Sequence, residues 1–175
     1  MLVTTSGCSA LWAQSSEGDN LLANCYIHFS EQLNVASKKE QTWLRSLCKA
    51  MGADAPDRSK FEDDAAALLL KTGNEEHPIG CHSVGTTAVV LCDEAGATDP
   101  FVVGCVVQRF WEKFGYPPSS KFIIQFADVC DKPRPGSFSG GIVTVTPTDI
   151  VVLTTGHLAD FFIEHGALPD MNQAP

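Results

Sequence analysis

The sequence predicts a single α+β domain in which a largely antiparallel sheet is covered by helices on one face, in the order β-α-α-β-β-α-β-β-α. Three observations carry this expectation. Runs rich in β-branched and aromatic residues recur at 24–29, 78–92, 121–128 and 142–146. Between and after them, helix-start residues precede apolar positions at helical spacing. The chain has 175 residues, 44% of them hydrophobic, enough for one buried core. No linker, internal repeat or low-complexity segment divides it, so 1–175 reads as one domain with 1–20 and 167–175 as loose arms.

Residues 1–20 show no sustained period, and the strand pattern begins at 24–29, with His28 on the face opposite Ile27. Ser37-Lys38-Lys39-Glu40 is a capping box. Its serine hydroxyl accepts from the Glu40 amide, and the carboxylate reaches back to the Ser37 amide. The helix it opens carries Trp43, Leu44, Leu47, Cys48 and Met51 on one face, with Gly52 where a left-handed terminal residue belongs. Ser59-Lys60-Phe61-Glu62 repeats the box and opens a helix through Leu70, with Phe61, Ala65, Leu68 and Leu69 inward. Glu62, Asp63 and Asp64 lie in its first turn, where acids complement the helix dipole; consecutive positions about 100° apart do not converge on a metal.

Residues 78–83 and 86–92 form a hairpin around Gly85. Asp99 then caps a helix with Pro100 at its first position. Val102, Val103, Val106, Val107, Phe110, Trp111 and Phe114 make it the main core helix, and Gly115-Tyr116-Pro117-Pro118 stops it. Strands at 121–128 and 142–146 flank a loop, 130–141, shaped by its prolines and by Gly140-Gly141. Ile150-Val151-Val152-Leu153 alone has strand character, but the capping residues of Thr146-Pro147-Thr148-Asp149 assign it to a helical turn. Residues 156–166 form a final short amphipathic helix.

The net charge of −9, from 21 acids against 12 bases, argues against a nucleic-acid binder that works by phosphate neutralisation, and suits a basic protein partner. No run approaches the ~20 apolar residues that span a bilayer, and the N-terminus lacks the basic start of a signal peptide. Of the seven cysteines, Cys25, Cys48, Cys81, Cys92 and Cys105 sit in apolar segments, and there is no C-x-x-C pair. That pattern predicts buried thiols throughout and a reducing, cytoplasmic setting.

The strongest catalytic assembly in the sequence is Cys130 with Asp128, Asp131 and either His157 or His165, in which Lys132 and Arg134 would favour a thiolate. No nucleophile elbow surrounds Cys130, and packed cysteines are the commoner case. Cys81-His82 with His77 is a weaker metal candidate, because neighbours on a strand face opposite ways. Lys132 and Arg134, beside the amides of Gly140 and Gly141, form a candidate anion or partner site. Internal pairing of the two cations with Asp128 or Asp131 is the more ordinary arrangement. No P-loop, dinucleotide fingerprint or HExxH appears, so no metal or cofactor is expected.

The stretch Phe126-Ala127-Asp128, Cys130-x-Lys132-Pro133-Arg134-Pro135-Gly136-x-Phe138-x-Gly140-Gly141, Val145-Thr146 and Ile150-x-x-Leu153, with Leu91 to Gly96 upstream, resembles a family of small, functionally uncharacterised bacterial and phage proteins. The likeness covers roughly the last half of the chain. It departs at Ser139, where the family pattern has glycine, and at Val152, where it has tryptophan. The resemblance implies a fold, with 150–153 helical, and no mechanism. The sequence thus leads to a non-catalytic protein-interaction factor, a phage or mobile-element accessory protein that binds a host protein through an acidic surface. The alternative is a small enzyme or anion-binding protein that uses the loop at 130–141.

Overall fold

In the computed structural model, which describes residues 25–52, 68, 77–93, 96, 98–130 and 138–165, the chain is an α+β fold whose strands form two antiparallel sheets rather than one. In chain order the elements are β1 (Cys25–His28), β2 (Ser30–Asn34), α1 (Lys38–Met51), β3 (Ile79–Val84), β4 (Ala88–Asp93), α2 (Pro100–Phe114), β5 (Phe122–Cys130), β6 (Phe138–Val145), β7 (Ile150–Thr154) and α3 (Thr155–His165). The larger sheet has the order β1-β5-β6-β7 and the smaller β2-β4-β3. The split originates at Phe29, where the expected single N-terminal strand becomes two: β1 pairs with β5, and β2 with β4. Phe29 is buried between them, and its carbonyl accepts the Asp93 amide at 3.3 Å. Across the same joint the Glu31 carboxylate accepts the Gln125 amide of β5 at 3.1 Å.

At the start of α1, Ser37 Oγ accepts the Glu40 amide at 3.3 Å as expected. The Glu40 carboxylate reaches one residue further back than the capping box predicts, taking the Ala36 amide at 2.7 Å. Leu44, Leu47, Cys48 and Met51 are buried, while half-buried Trp43 meets Phe114 edge to face at 5.5 Å. Buried Gln41 donates to the carbonyls of Gly85 and Ala88, at 3.2 and 2.8 Å, which ties α1 to the β3–β4 hairpin. Gly52 is extended (φ −80°, ψ 161°), not left-handed; its amide turns back to the Lys49 carbonyl. The helix expected at 59–70 lies outside the described residues except for Leu68, which is helical and buried.

The second helix follows its sequence signals at both ends. Asp99 Oδ1 accepts the Phe101 amide at 2.8 Å, Pro100 occupies the first turn, and Gly115 closes the helix in the left-handed region. Val102, Val103, Val106, Val107, Phe110 and Trp111 are buried. Gly104 lets α2 settle on the larger sheet: a Cβ there would stand 3.1 Å from Val145 and 3.3 Å from Ile150. The core therefore lies where α1 covers the smaller sheet and α2 the larger.

Residues 150–153 are a strand, which corrects the helical assignment. β7 runs antiparallel to β6 from Val145↔Ile150 to Gly141↔Thr154. Thr146 to Asp149 form the hairpin turn between them. The Thr146 amide donates to the Asp149 carbonyl at 2.8 Å, and the Asp149 amide to Thr146 Oγ1 at 2.9 Å. The side-chain-to-backbone bonds that start a helix also close a turn. The β-branched run that follows then adopts its own preference.

Candidate functional site

Both strands flanking the predicted loop are longer than the sequence suggested, so the connection shrinks to 131–137. Asp131, Lys132 and Arg134 fall in that connection, outside the described residues. Gly140 and Gly141 do not form a turn. They sit within β6, opposite Ala127 and Phe126 of β5. A Cβ on Gly140 would stand 2.6 Å from the Phe126 carbonyl oxygen; one on Gly141 would strike the Leu153 carbonyl and lie 2.9 Å from the Phe126 ring. The close approach of neighbouring strands and the Phe126 ring accounts for both glycines.

Asp128 and Cys130 occupy alternate positions of β5 and so share a face of the sheet, both half-buried. Asp128 accepts the Ser139 hydroxyl at 3.1 Å. Cys130 is disulfide-bonded, which corrects the expectation of thiols throughout and leaves no thiolate there to act as a nucleophile. His157 stands exposed in the first turn of α3, its Nδ1 3.3 Å from the Thr154 amide and 3.2 Å from Thr154 Oγ1. Asp128, Cys130 and His157 are thus each engaged with a different neighbour, while Asp131 and the side chain of His165 lie outside the described residues.

Cys48, Cys81, Cys92 and Cys105 are thiols, as expected. On β3, Cys81 packs against the core while His82 is exposed, the opposed placement that strand alternation requires. His77 is buried, and neither ring nitrogen has a hydrogen-bond partner among the described residues. Among the described residues no group of three or more His, Cys, Asp or Glu side chains is placed to hold a metal.

Two surfaces escaped the sequence reading. The first is the face of the larger sheet turned away from α2. Register places Ile123, Thr144 and Val151 in one row across β5, β6 and β7, and Gln125, Ile142 and Leu153 in the next. Ile123, Ile142 and Val151 are 49%, 38% and 60% exposed. Strand alternation gave a signal here, since aliphatic residues occupy both faces of these strands where a solvated face would carry polar ones. The second is an open groove between α1 and α2, lined by Lys38, Lys39, Trp43, Lys113 and Phe114, with Lys113 Nζ 5.8 Å from the Trp43 ring centroid. Lys113 is far in sequence from Lys38 and Lys39, and no local pattern announces the groove.

Among the described residues no helix is long and apolar enough to cross a membrane. Compared with protein-family models, curated proteins and solved structures, the chain matches none.

Proposed function

We propose that the protein is a non-catalytic interaction factor that docks a basic segment of a partner protein along β7 and the adjoining outer face of the larger sheet. The observation that carries this reading is a set of exposed aliphatic side chains, spread over two neighbouring rows of one sheet face, that reaches the edge strand. Val151 stands on β7, the last strand of the sheet order, with Ile123 and Ile142 on the same face. An edge strand offers backbone donors and acceptors to an incoming strand, and contiguous exposed aliphatics reward its arrival. β7 carries no charge or proline of the kind that blunts such edges. Charge supplies the partner's chemistry. Residues 146–165 contain Asp149, Asp160 and Glu164, all exposed, and no lysine or arginine. A basic strand with aliphatic side chains on one face fits both features.

The test is affinity capture from a lysate of the source cell with the full chain and with Val151→Lys, which puts a repelling charge on the edge. The reading expects a basic partner, captured by the parent, weakened by salt and lost with Val151→Lys. Capture unaffected by Val151→Lys but abolished by Arg134→Ala would move the site to the 131–137 connection and favour the anion-binding alternative.

A further inference from the structure

We infer that Cys130 is joined to Cys25, in a cross-strand disulfide that fastens the edge strand β1 to β5. Cys130 is bonded, and Cys48, Cys81, Cys92 and Cys105 are thiols, which leaves Cys8 and Cys25 of the seven cysteines as partners. Backbone register selects between them, since Cys25 lies directly opposite Cys130. The kind of pair matters as much as the position. In an antiparallel ladder opposed residues alternate between hydrogen-bonded pairs and non-hydrogen-bonded pairs. The Ile27 amide turns away from β5 to the Gly96 carbonyl at 3.0 Å, so Ile27–Asp128 is a non-hydrogen-bonded pair. Cys25–Cys130, two residues along, has the same character. At such pairs the Cα atoms approach to about 4.5 Å, inside the roughly 4.4–6.8 Å that a disulfide spans. Cys81 and Cys92 provide the contrast: register pairs them with Leu91 and Gly80, on opposite faces of the smaller sheet, and they remain thiols.

The bond has a mechanical consequence. The chain passes from β1 through Phe29 straight into β2, so fastening β1 to β5 fixes the joint between the two sheets. It also has a chemical one. A thiolate of one cysteine attacks a disulfide oxidant, such as oxidised glutathione or an oxidoreductase disulfide, to give a mixed disulfide. The second thiolate displaces the oxidant's sulfur, so two protein thiols lose two protons and two electrons and the oxidant becomes two thiols. The folded form therefore belongs to a setting that supplies such an oxidant, and the reducing compartment expected from the cysteine pattern does not suit this pair.

The full chain, refolded in a glutathione redox buffer and then denatured without reductant, should expose five reactive thiols, rising to seven on reduction. Digestion of the blocked protein should give one linked peptide pair containing Cys25 and Cys130 that separates under reductant. Cys25→Ser should render Cys130 alkylatable, and Cys8→Ser should leave the linked pair intact. Seven reactive thiols before reduction, or a linkage of Cys130 to Cys8, would overturn the assignment.

Discussion

Tyr116 donates its phenolic proton to the Glu40 carboxylate at 2.7 Å and accepts the Ala36 amide at 3.2 Å, so the residue just past the Gly115 cap of α2 is tied to the cap that begins α1. The contact closes a packed aromatic end: the Tyr116 ring lies 5.1 Å from Phe110, which is itself 5.2 Å from Phe114. Burial first, then the hydrogen bond and negative charge of Glu40, push the phenol up to about 12 from its ordinary 10, against the opposing pull of the Ala36 amide.

A titration follows from this contact. Because the folded-state value is the higher one, the folded protein holds the proton more tightly than the unfolded chain. The stabilisation is complete below pH 10 and is lost as the pH rises through about 12. In a Tyr26→Phe background, which leaves Tyr116 as the one tyrosine of two, the phenolate absorbance should rise with a midpoint near 12. Glu40→Gln should lower that midpoint without restoring the ordinary value, since burial remains. An identical midpoint in both proteins would mean that Glu40 and Tyr116 do not meet in solution.

Trp111 provides the second prediction. Only 3% of its surface is exposed, on the face that α2 turns to the core. Trp111→Ala should destabilise the fold by about 3–5 kcal/mol, the usual cost of removing a large buried aromatic. Chemical denaturation measures this directly, and a change within about 0.5 kcal/mol, the range of surface substitutions, would place the ring in solvent.

The contrast between α2 and its surroundings shows what the sequence made legible. Asp99, Pro100 and Gly115 each act within a turn of their own position, so a local reading recovers both ends of the helix. The two-sheet division depends instead on which distant strand each half of 25–34 meets, and nothing near Phe29 records that β1 will choose β5 and β2 will choose β4. The turn at Thr146 to Asp149 failed for a different reason: its side-chain chemistry serves a cap or a hairpin equally, and only pairing with β6 decides. At the candidate site the sequence places Gly140 and Gly141 in a shaped loop, whereas both lie within β6, because their fit against β5, β7 and the Phe126 ring depends on partners distant in sequence. The expectation of thiols throughout fails at Cys130 because a bonding partner is brought near by the fold, and the loop-like residues that follow Cys130 in sequence carry no sign of one.

Gln41 tests the link between α1 and the smaller sheet. Its amide nitrogen serves the Gly85 and Ala88 carbonyls from a buried position. Gln41→Leu keeps the bulk but strips the donor, leaving a buried acceptor in want of a partner at a cost of about 1–3 kcal/mol. Amide hydrogen exchange should show the loss concentrated in β3 and β4. Uniform loosening of the larger sheet would contradict the assigned contact.

Gly141 distinguishes a packing role from a ligand role most sharply. It lies between β5 and β7, where an added methyl group would meet the Leu153 carbonyl on one side and the Phe126 ring on the other. Backbone oxygen cannot swing away as the tip of a long side chain can, so relief requires β7 to move outward from β6. Gly141→Ala should therefore cost about 3 kcal/mol, the upper part of the range for overpacking. Ser139→Ala, two residues away on an exposed position, removes only the hydroxyl bonded to Asp128 and should cost about 1 kcal/mol. If Gly141 instead served an anion through its amide, Gly141→Ala would leave the denaturation midpoint unchanged, and inorganic phosphate would raise the parent's midpoint more than the variant's. The packing role expects the reverse on both counts: a large fall in midpoint for Gly141→Ala, and the same response to phosphate in parent and variant.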